Sequence, residues 1–433
     1  MIIKTENRTD IEIIFSKIAD KYGSVWLDSS LKVDNKGTKS FIARNPIGGV
    51  KLENNQITIQ QFDKKIVSKS DENIFEYLEQ YWQDNNYFSV GYFSYESTLP
   101  LLGLENQKKS IIPDIQFLIY DVVLIYDHIT GELVSSNPNI DDFSDLLDST
   151  DISTENILPN KNKFKTAYTK DEYLRKVEKV KYHIKEGDIY QANFTCGFEI
   201  ESIQNPFNVY SKLRNLNPVP YSSFLNFGDF QILSSSMERM FKKENNMLST
   251  CPIKGTIQRG ASITEEKACL ETLLNSEKDK AELLMIVDLE RNDLGKVAQT
   301  GTVKVNELFK PEIYSSVIHL VSEIICQTDN NIKVSDIIKA MLPGGSITGA
   351  PKKRAVEILS KLEEIPRNVY TGCIGYVWGK QADFNIAIRT ILHKENKYYL
   401  HAGGGIVADS DPENEYNEML LKAKNLFRAI GIE

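Results

Sequence analysis

The residues that could do chemistry begin with two acidic segments whose spacing is helical. In each segment a short polar residue can cap a helix, and carboxylates follow at intervals of three residues on one face. These side chains are Asp279 and Glu282 after Ser276, and Glu415, Glu418 and Lys422 after Asp411 and Pro412. If the acidic faces of the two helices lie opposite each other, they could hold Mg²⁺ through one or two carboxylates and water. Acidic residues also complement the dipole of a helix first turn, and spacing alone favours solvated helix faces.

Two glycine-bearing segments could present bare backbone amides to an anion. LHAGGGI (400–406) leaves a predicted strand, and PGGSITGAP (343–351) leads into a helix beginning near residue 352. Amides without side-chain cover can approach a phosphate or a carboxylate closely. Sharp turns explain these glycines equally well, and neither segment has the spacing of a P-loop or a dinucleotide-binding loop.

Two basic side chains lie in segments where a simple surface role is unusual. Arg389 ends the alternating apolar run 383–388, and an arginine in so apolar a strand needs a carboxylate partner, either structural or bound. Lys254 lies between Pro252 and Gly255, where the backbone is fixed and steric cover is small. Desolvation there could lower the pKa of the amine enough to make it a nucleophile, although most lysines are surface charges.

Bulk composition limits the class of protein. The chain has 433 residues, 41% of them hydrophobic and 26% charged, with a formal net charge of −9, which favours a globular protein and argues against nucleic-acid binding. The charged N-terminus does not resemble a signal peptide, and the most apolar stretch, 115–126, is too short to span a membrane. Five dispersed cysteines favour a reducing cytoplasm, and the five histidines show no metal-binding pairing, so any metal must be held by carboxylates.

The predicted elements indicate an α+β fold with large antiparallel sheets. Residues 137–164 are rich in Asp, Asn and Ser and predict a linker between an N-terminal region, 1–136, and a domain at 165–433. Thr169 and Glu172 form a capping box for a helix to about residue 186. We also expect helices near 264–274 and 276–290, a hairpin at 221–236, and long strands near 313–326, 370–378 and 382–392.

Several of these segments, taken together and in order, resemble the chorismate-utilising enzymes, which include the large subunits of anthranilate synthase and aminodeoxychorismate synthase. The joint match covers about 187–422 and is highly specific, whereas residues 1 to about 135 match more weakly, best in WLDSS (26–30) and GYFSYE (91–96). The matching runs are GDIYQANF (187–194), SSMER (235–239), CPIKGT (251–256), KDKAELLMIVDLERNDLG (278–295), IHLVS (318–322), PGGSITGAPKKRA (343–355), GCIGY (372–376), IAIRT (386–390) and AGGGIVADSDPENEYNE (402–418).

The resemblance implies an anthranilate-synthase-like α/β sandwich of two large antiparallel sheets with helices outside. By the family pattern Glu282 and Glu418 resemble direct Mg²⁺ ligands, with Asp279 and Glu415 assisting through water. Glu238 resembles the general acid that protonates the leaving C4 hydroxyl, although Met237 stands where the family usually has proline. The residues that the resemblance assigns to substrate binding are Gln191, His319, Thr348, Tyr376, Arg389, Gly403, Gly404, Gly405 and Lys422.

Two positions distinguish branches of the family. Isochorismate and salicylate synthases resemble each other in placing a lysine base where Gln191 stands here, and glutamine cannot deprotonate water. Anthranilate synthases usually have alanine where Lys254 stands, whereas the lysine is typical of the aminodeoxychorismate type. The resemblance therefore implies amination of chorismate to 4-amino-4-deoxychorismate through a covalent Lys254 intermediate, feeding 4-aminobenzoate and folate synthesis.

Partners and alternatives follow from the same resemblance. The sequence lacks the GxCxG segment of a glutaminase, so ammonia is expected from a separate glutamine amidotransferase subunit. The nearest alternative is anthranilate synthase component I, and WLDSS lies where that enzyme carries part of an inhibitory tryptophan pocket, although a strand end with a turn explains it as well. A non-enzymatic alternative is a metabolite-binding scaffold for a glutaminase, which would require a broken site.

Overall fold

The computed structural model describes residues 2–4, 9–61, 64–68, 73–137, 139, 143–147, 164–314 and 317–432. Its helices are α1 (Thr9–Ser16), α2 (Ile74–Trp82), α3 (Ser144–Leu147), α4 (Lys170–Lys185), α5 (Pro206–Leu216), α6 (Ile263–Leu274), α7 (Glu277–Gly295), α8 (Val334–Met341), α9 (Lys352–Leu362) and α10 (Pro412–Ile430). Short 3₁₀ turns lie at Glu96–Thr98, Pro100–Leu102 and Gly345–Ile347.

The strands alternate irregularly with these helices. They are β1 (Ile2–Lys4), β2 (Val25–Asp28), β3 (Lys39–Ala43), β4 (Gly48–Glu53), β5 (Gln56–Gln61), β6 (Lys64–Ser68), β7 (Phe88–Phe93), β8 (Ile115–Tyr120), β9 (Leu124–Asp127), β10 (Glu132–Ser135), β11 (Lys165–Thr166), β12 (Gln191–Glu201), β13 (Tyr221–Asn226), β14 (Phe230–Ser236), β15 (Arg239–Glu244), β16 (Met247–Cys251), β17 (Ile253–Gln258), β18 (Lys304–Ile313), β19 (Val317–Gln327), β20 (Gly349–Ala350), β21 (Cys373–Trp378), β22 (Gln381–Ile386), β23 (Thr390–Lys394) and β24 (Lys397–Ile406).

The strands form two antiparallel sheets, which confirms the predicted architecture. The first sheet has the order β1-β10-β9-β3-β2-β13-β14-β23-β24-β12-β11, with β20 also paired to β12. The second has the order β17-β19-β16-β15-β22-β21-β7-β8-β4-β5-β6, with β18 also paired to β19. Apolar side chains of both inner faces, among them Val90, Leu225 and Ile374, pack together between the sheets. Helices α4, α5 and α10 cover the outside of the first sheet, and α2, α7 and α8 cover the second.

Strands from the two ends of the chain share both sheets. Strand β2 pairs with β13 in the first sheet, where Trp26 lies opposite Phe224. Strand β7 pairs with β21 in the second sheet, where Gly91 lies opposite Gly375. Residues 1–136 and 165–433 are therefore hydrogen-bonded parts of the same two sheets. The predicted linker, 137–164, falls mostly outside the described residues.

Two apolar runs, 115–126 and the predicted long strand 382–392, are each two strands in the structure. The run 115–126 gives β8 in the second sheet and β9 in the first, and the run 382–392 gives β22 in the second and β23 in the first. The predicted long strand 313–326 corresponds mostly to β19, which pairs antiparallel with β18. A continuous apolar run reports burial on both faces and carries no signal for a change of sheet.

The helices that carry acidic residues begin where their capping residues predict. The Thr169 hydroxyl and the Glu172 carboxylate form the predicted capping box of α4. Ser276 accepts a hydrogen bond from the Asp279 amide at the start of α7, and Asp411 accepts one from Asn414 at the start of α10. Within the described residues, no helix is long and apolar enough to cross a membrane.

Candidate active site

The candidate site lies where α7, α10 and the 3₁₀ turn of loop 343–348 meet the ends of strands from both sheets. Lys254 on β17 is half-buried, and the charged groups that influence its pKa most are Glu282 and Glu238, followed by Lys422 and Glu418. The two of these residues that are farthest apart in the chain, Glu238 and Lys422, are separated by 184 positions. The fold therefore brings the two acidic helices and the lysine of CPIKGT together.

The carboxylates of α7 and α10 share one electrostatic environment. Burial raises the pKa of Glu282, and the like charges of Asp279 and Glu418 raise it further, while Lys254 opposes the shift. Lys422 Nζ lies 2.7 Å from Glu418 Oε1 and lowers the pKa of that carboxyl. Burial raises the pKa of Glu415, whose Oε1 accepts a hydrogen bond from Ser410 Oγ at 2.7 Å. The repulsion among these carboxylates is the kind that a bound divalent cation relieves.

The oxygen donors fit a hard cation such as Mg²⁺. In the part of the chain that the structure describes, no three His, Cys, Asp or Glu side chains converge closely enough to hold an ion by themselves. Mg²⁺ commonly binds through one or two carboxylates and completes its six ligands with water and substrate oxygens. Glu282 and Glu418 could supply that pair, and a substrate carboxylate or water would supply the remainder.

The three glycines of AGGGI form the floor beside α10, and they lie within strand β24 instead of the predicted loop. A Cβ atom at Gly404 would lie 3.0 Å from Glu415 Oε2 and 3.6 Å from Lys422 Nζ. A Cβ at Gly405 would lie 2.4 Å from Gln191 Nε2, and one at Gly403 would lie 2.2 Å from the Phe194 carbonyl oxygen. Lys422 Nζ also donates to the Gly403 carbonyl at 3.0 Å. A larger side chain at Gly404 would obstruct the space between β24 and α10, and one at Gly403 or Gly405 would meet residues of β12.

Lys254 and Glu238 form the candidate chemical pair. Lys254 Nζ donates to the Ser346 carbonyl at 3.4 Å, and burial lowers the pKa of the amine. Burial raises the pKa of Glu238, with the neighbouring Ser346 hydroxyl and Lys254 opposing the shift. On the other side of the lysine, Gly255 has φ +71°, and a Cβ there would lie 2.9 Å from Asp279 Cβ. A buried acid that holds its proton to higher pH than usual and an amine that loses its proton more easily than usual are therefore neighbours.

Several buried polar atoms in this region have no hydrogen-bond partner among the residues that the structure describes. They are Glu238 Oε1, both amide atoms of Gln191, His319 Nε2 and Ser346 Oγ. Buried polar atoms are almost always paired in folded proteins, so a cluster of unpaired ones calls for a polar ligand or water. Their grouping between Lys254 and the glycine strand makes this the best-supported binding site of the described residues.

Arg389 lies at the crossover between the two sheets and not within a strand. Its φ is +50°, and one of its guanidinium nitrogens donates to the Lys422 carbonyl. Burial lowers the pKa of Arg389, and Tyr370 and Glu418 oppose the shift. His319 donates to or accepts from Thr256 Oγ1 at 2.8 Å, and burial together with Arg389 lowers the pKa of its ring to about 4. A half-buried guanidinium without a carboxylate hydrogen bond in the described part of the chain suits an anionic ligand.

Tyr376 is the predicted site residue that the structure does not bring into this group. Its ring packs against Phe41 and Phe88, with ring centroids 5.0 and 5.3 Å apart, and it lines a separate cavity between the sheets. The tyrosine beside Arg389 is Tyr370, which stacks on His401 at 5.5 Å. Tyr370 lies two residues before GCIGY, and strand alternation could not identify it because it precedes β21.

Loop 343–348 supplies Thr348 and a residue that the sequence analysis did not single out, Ser346. Thr348 is fully buried, and its hydroxyl donates to the Gly344 carbonyl at 2.8 Å. The Asn193 amide donates to the Thr348 carbonyl at 2.7 Å, which joins the loop to β12. The sequence pattern of this loop pointed to its glycines. Ser346, however, accepts from Lys254 through its carbonyl, and its hydroxyl lies beside Glu238.

Comparisons with known proteins identify the family of this chain. A model of the family described as chorismate binding enzyme matches residues 24–428, and the chain therefore belongs to that family. Anthranilate synthase component 1 of Acetivibrio thermocellus is 38% identical over 79% of this chain and 74% of its own length. Aminodeoxychorismate synthase component 1 of Bacillus subtilis is 34% identical over 92% of this chain and 90% of its own. The crystal structure of anthranilate synthase component I from Streptococcus pneumoniae superimposes with a TM-score of 0.79 at 29% identity, covering 92% and 93% of the two chains.

Proposed function

We propose that this chain aminates chorismate with ammonia to give 4-amino-4-deoxychorismate, through a covalent intermediate on Lys254. The observation that carries the proposal is the pairing of Lys254 with Glu238 across Ser346, next to the acidic helices. When a protein amine and a protein proton donor face the same substrate, the amine can attack it while the donor protonates the departing hydroxyl. The hydroxyl is then replaced without water acting as the nucleophile.

The proposed first step uses the two residues in opposite roles. The neutral Lys254 amine forms a bond to C2 of chorismate, both double bonds of the ring diene shift by one position toward C4, and the C4–oxygen bond breaks. Glu238 gives its proton to the departing hydroxyl, which leaves as water. Because burial raises the pKa of Glu238, this carboxyl keeps its proton at higher pH than an ordinary glutamate.

The second step restores both residues. Ammonia forms a bond to C4, both ring double bonds shift back, and the bond between C2 and Lys254 breaks, so that the amine leaves neutral. The proton lost by the adding ammonia returns to the Glu238 carboxylate. The balance is chorismate plus ammonia to aminodeoxychorismate plus water, and no oxidant or reductant is required.

The remaining residues would bind and orient the substrate. The substrate carboxylates would be held by Arg389, Tyr370, Thr348, Lys422 and the strand 403–405. The unpaired polar atoms of Gln191 and His319 would bind polar groups beside the ring. Glu282 and Glu418, with Asp279 and Glu415, would hold Mg²⁺, which when bound supplies positive charge that neutralises a substrate carboxylate.

Two further proposals concern the chain's surroundings. The relatives are named as component 1 of their synthases, which supports ammonia delivery by a separate glutamine amidotransferase subunit. The five cysteines are free thiols, which supports a reducing cytoplasm.

The second candidate is anthranilate synthase component I, which the 38% identical relative favours. The deciding experiment is to identify the product from chorismate, ammonium and Mg²⁺, with and without an aminodeoxychorismate lyase. We expect a product that the lyase converts to 4-aminobenzoate. Formation of 2-aminobenzoate without the lyase would instead make the chain an anthranilate synthase, and no loss of chorismate would support the scaffold.

A further inference from the structure

Glu290 is a buried carboxyl that the proposed mechanism leaves without a role. It lies on α7 with 4% of its surface exposed, eight residues after Glu282. At 1.5 Å per residue, the two positions are roughly 12 Å apart along the helix axis. Glu290 is therefore on the same helix as the candidate metal ligands Asp279 and Glu282, but it lies beside loop 343–348.

The contact made by Glu290 is with the backbone of loop 343–348. The Gly345 amide donates to Glu290 Oε1 at 3.0 Å. A Cβ atom at Gly345 would lie 2.9 Å from the same oxygen and 2.6 Å from Leu289 Cδ2, so the close approach depends on glycine. Helix and loop are thus joined by a buried hydrogen bond at the centre of the loop.

The charges around Glu290 are already paired. Asp293, one turn later on α7, accepts from Lys296 Nζ at 2.8 Å and from Lys352 Nζ. Lys352 begins α9, which follows the loop, and its Nζ also donates to the Met341 carbonyl before the loop at 3.4 Å. The Lys352–Asp293 ion pair joins the end of the loop to α7, and the hydrogen bond from Lys352 to Met341 joins its two ends, whereas Glu290 holds its middle.

The opposite side of the loop faces the reacting groups. The Ser346 carbonyl accepts from Lys254 Nζ at 3.4 Å, and the Ser346 hydroxyl neighbours the Glu238 carboxyl. Gly345 and Ser346 are consecutive residues of one 3₁₀ turn, so a displacement of Gly345 moves Ser346 with it.

We propose that Glu290 is a positioning residue for the reaction, which holds Gly345 so that Ser346 keeps Lys254 and Glu238 in register. This inference rests on the proposed roles of Lys254 and Glu238. It assigns no contact between Glu290 and the substrate.

The protonation state of Glu290 suits this role. Burial and the neighbouring Asp293 raise its pKa, Lys352 and the Gly345 amide oppose the shift, and Glu238 raises it further. The neutral acid is therefore favoured, and it accepts from Gly345 without adding a second negative charge beside Glu238. A glutamine in this position has the same reach and the same carbonyl acceptor as the neutral acid.

Two substitutions of Glu290 distinguish the effect of its side-chain length from the effect of its acidic group. Glu290→Gln keeps the reach and loses the acid, while Glu290→Asp keeps the acid and withdraws the acceptor by one methylene. Asp288→Asn is the matched control, because Asp288 is exposed on the same helix and forms a surface ion pair with Arg291 at 2.9 Å. Chorismate consumption is followed with saturating ammonium and Mg²⁺, and melting temperature is measured for each variant.

We expect Glu290→Asp to lower kcat about 10- to 100-fold with the KM for chorismate changed less than about threefold, as for a small misplacement of reacting groups. Glu290→Gln should retain kcat within about threefold, and Asp288→Asn should match the parent. A fully active Glu290→Asp, or a Glu290→Gln as impaired as Glu290→Asp, would overturn the inference. Chorismate loss is measured whatever the product is, so a wrong product in the parent protein would count against the proposed function alone.

Discussion

At the residue scale, the candidate site is distinguished by charges and polar atoms that the protein leaves incompletely paired. Glu238 is buried with Oε1 unpaired, His319 has an unpaired Nε2, and Arg389 has no carboxylate hydrogen bond within the described chain. Leaving a buried polar group unpaired typically costs about 1–3 kcal/mol, so such a cluster persists where a ligand completes it. The unpaired atoms thus mark the surface that a dicarboxylate substrate would cover.

The general-acid role of Glu238 gives the first prediction. Glu238→Gln should fold normally and bind chorismate, because the amide has the same shape, but turnover should fall ~10²–10⁴-fold when the proton donor is lost. Steady-state rates and a binding titration with chorismate would measure both effects. Glu244→Gln, an exposed position on β15, is the control. A Glu238→Gln enzyme with a near-parental rate would remove Glu238 from the mechanism.

Residue types in the site could be predicted from the sequence more readily than their contacts. Lys254, Glu238 and the four carboxylates came from motif spacing and resemblance, and the structure places them together. Tyr376 was chosen from the same kind of run, yet its ring packs with Phe41 and Phe88. Which of two tyrosines, Tyr370 or Tyr376, lies beside Arg389 depends on where β21 begins, and local pattern does not determine that boundary.

At the element scale, α7 and α10 carry the acidic side chains of the candidate site, and α7 also carries the proposed positioning residue Glu290. Capping by Ser276 and Asp411 sets the first turns of α7 and α10, and Asp279, Glu282, Glu415 and Glu418 follow from helical spacing. These starts could be predicted because caps are local signals. The changes of sheet at 121–123 and 387–389 could not, because both flanking runs are equally apolar.

The two-helix arrangement predicts a shared dependence on Mg²⁺. Activity should disappear with chelator and return with Mg²⁺. Glu282→Gln and Glu418→Gln should each raise the Mg²⁺ concentration for half-maximal activity about tenfold or more, since even loss of an outer partner typically weakens metal binding ~10–100-fold. Glu277→Gln on the exposed side of α7 should leave it unchanged. Full activity in excess chelator would rule out the metal role.

At the scale of the whole molecule, the site depends on strands of both sheets meeting where the chain crosses from one sheet to the other. Glu238 and Arg389 both lie where the chain passes between the sheets, and the Glu238 carbonyl accepts from the Ile386 amide at 3.0 Å. The antiparallel sandwich could be predicted from resemblance, and the family match at 24–428 agrees with it. The strand order could not, because pairing such as β2 with β13 joins residues nearly 200 positions apart.

The proposed division of labour between subunits predicts how the isolated chain uses nitrogen. Purified protein with chorismate and Mg²⁺ should turn over with ammonium at high pH, where more free ammonia is present, and should be inactive with glutamine alone. Adding a cognate glutamine amidotransferase should restore glutamine-dependent activity. Turnover with glutamine in a rigorously purified sample of this chain would contradict the two-subunit proposal.

The central claim is that the Lys254 amine becomes covalently attached to the substrate. An ordinary lysine is almost wholly protonated at pH 7, and burial beside the site lowers the pKa of Lys254 toward the neutral, nucleophilic form. Arginine cannot replace it, because a guanidinium stays charged. Lys254→Ala should therefore lose the adduct and most aminodeoxychorismate formation, and any residual activity should require high ammonia. Lys280→Ala, on the first turns of α7, is the control.

The most direct measurement is intact and peptide mass spectrometry of the protein incubated with chorismate and Mg²⁺ in the absence of ammonia. We predict an adduct of chorismate less water on the peptide that contains Lys254, present in Lys280→Ala and absent in both Lys254→Ala and Lys254→Arg. Absence of any adduct on the parent protein, together with full aminodeoxychorismate formation by Lys254→Ala, would contradict the account.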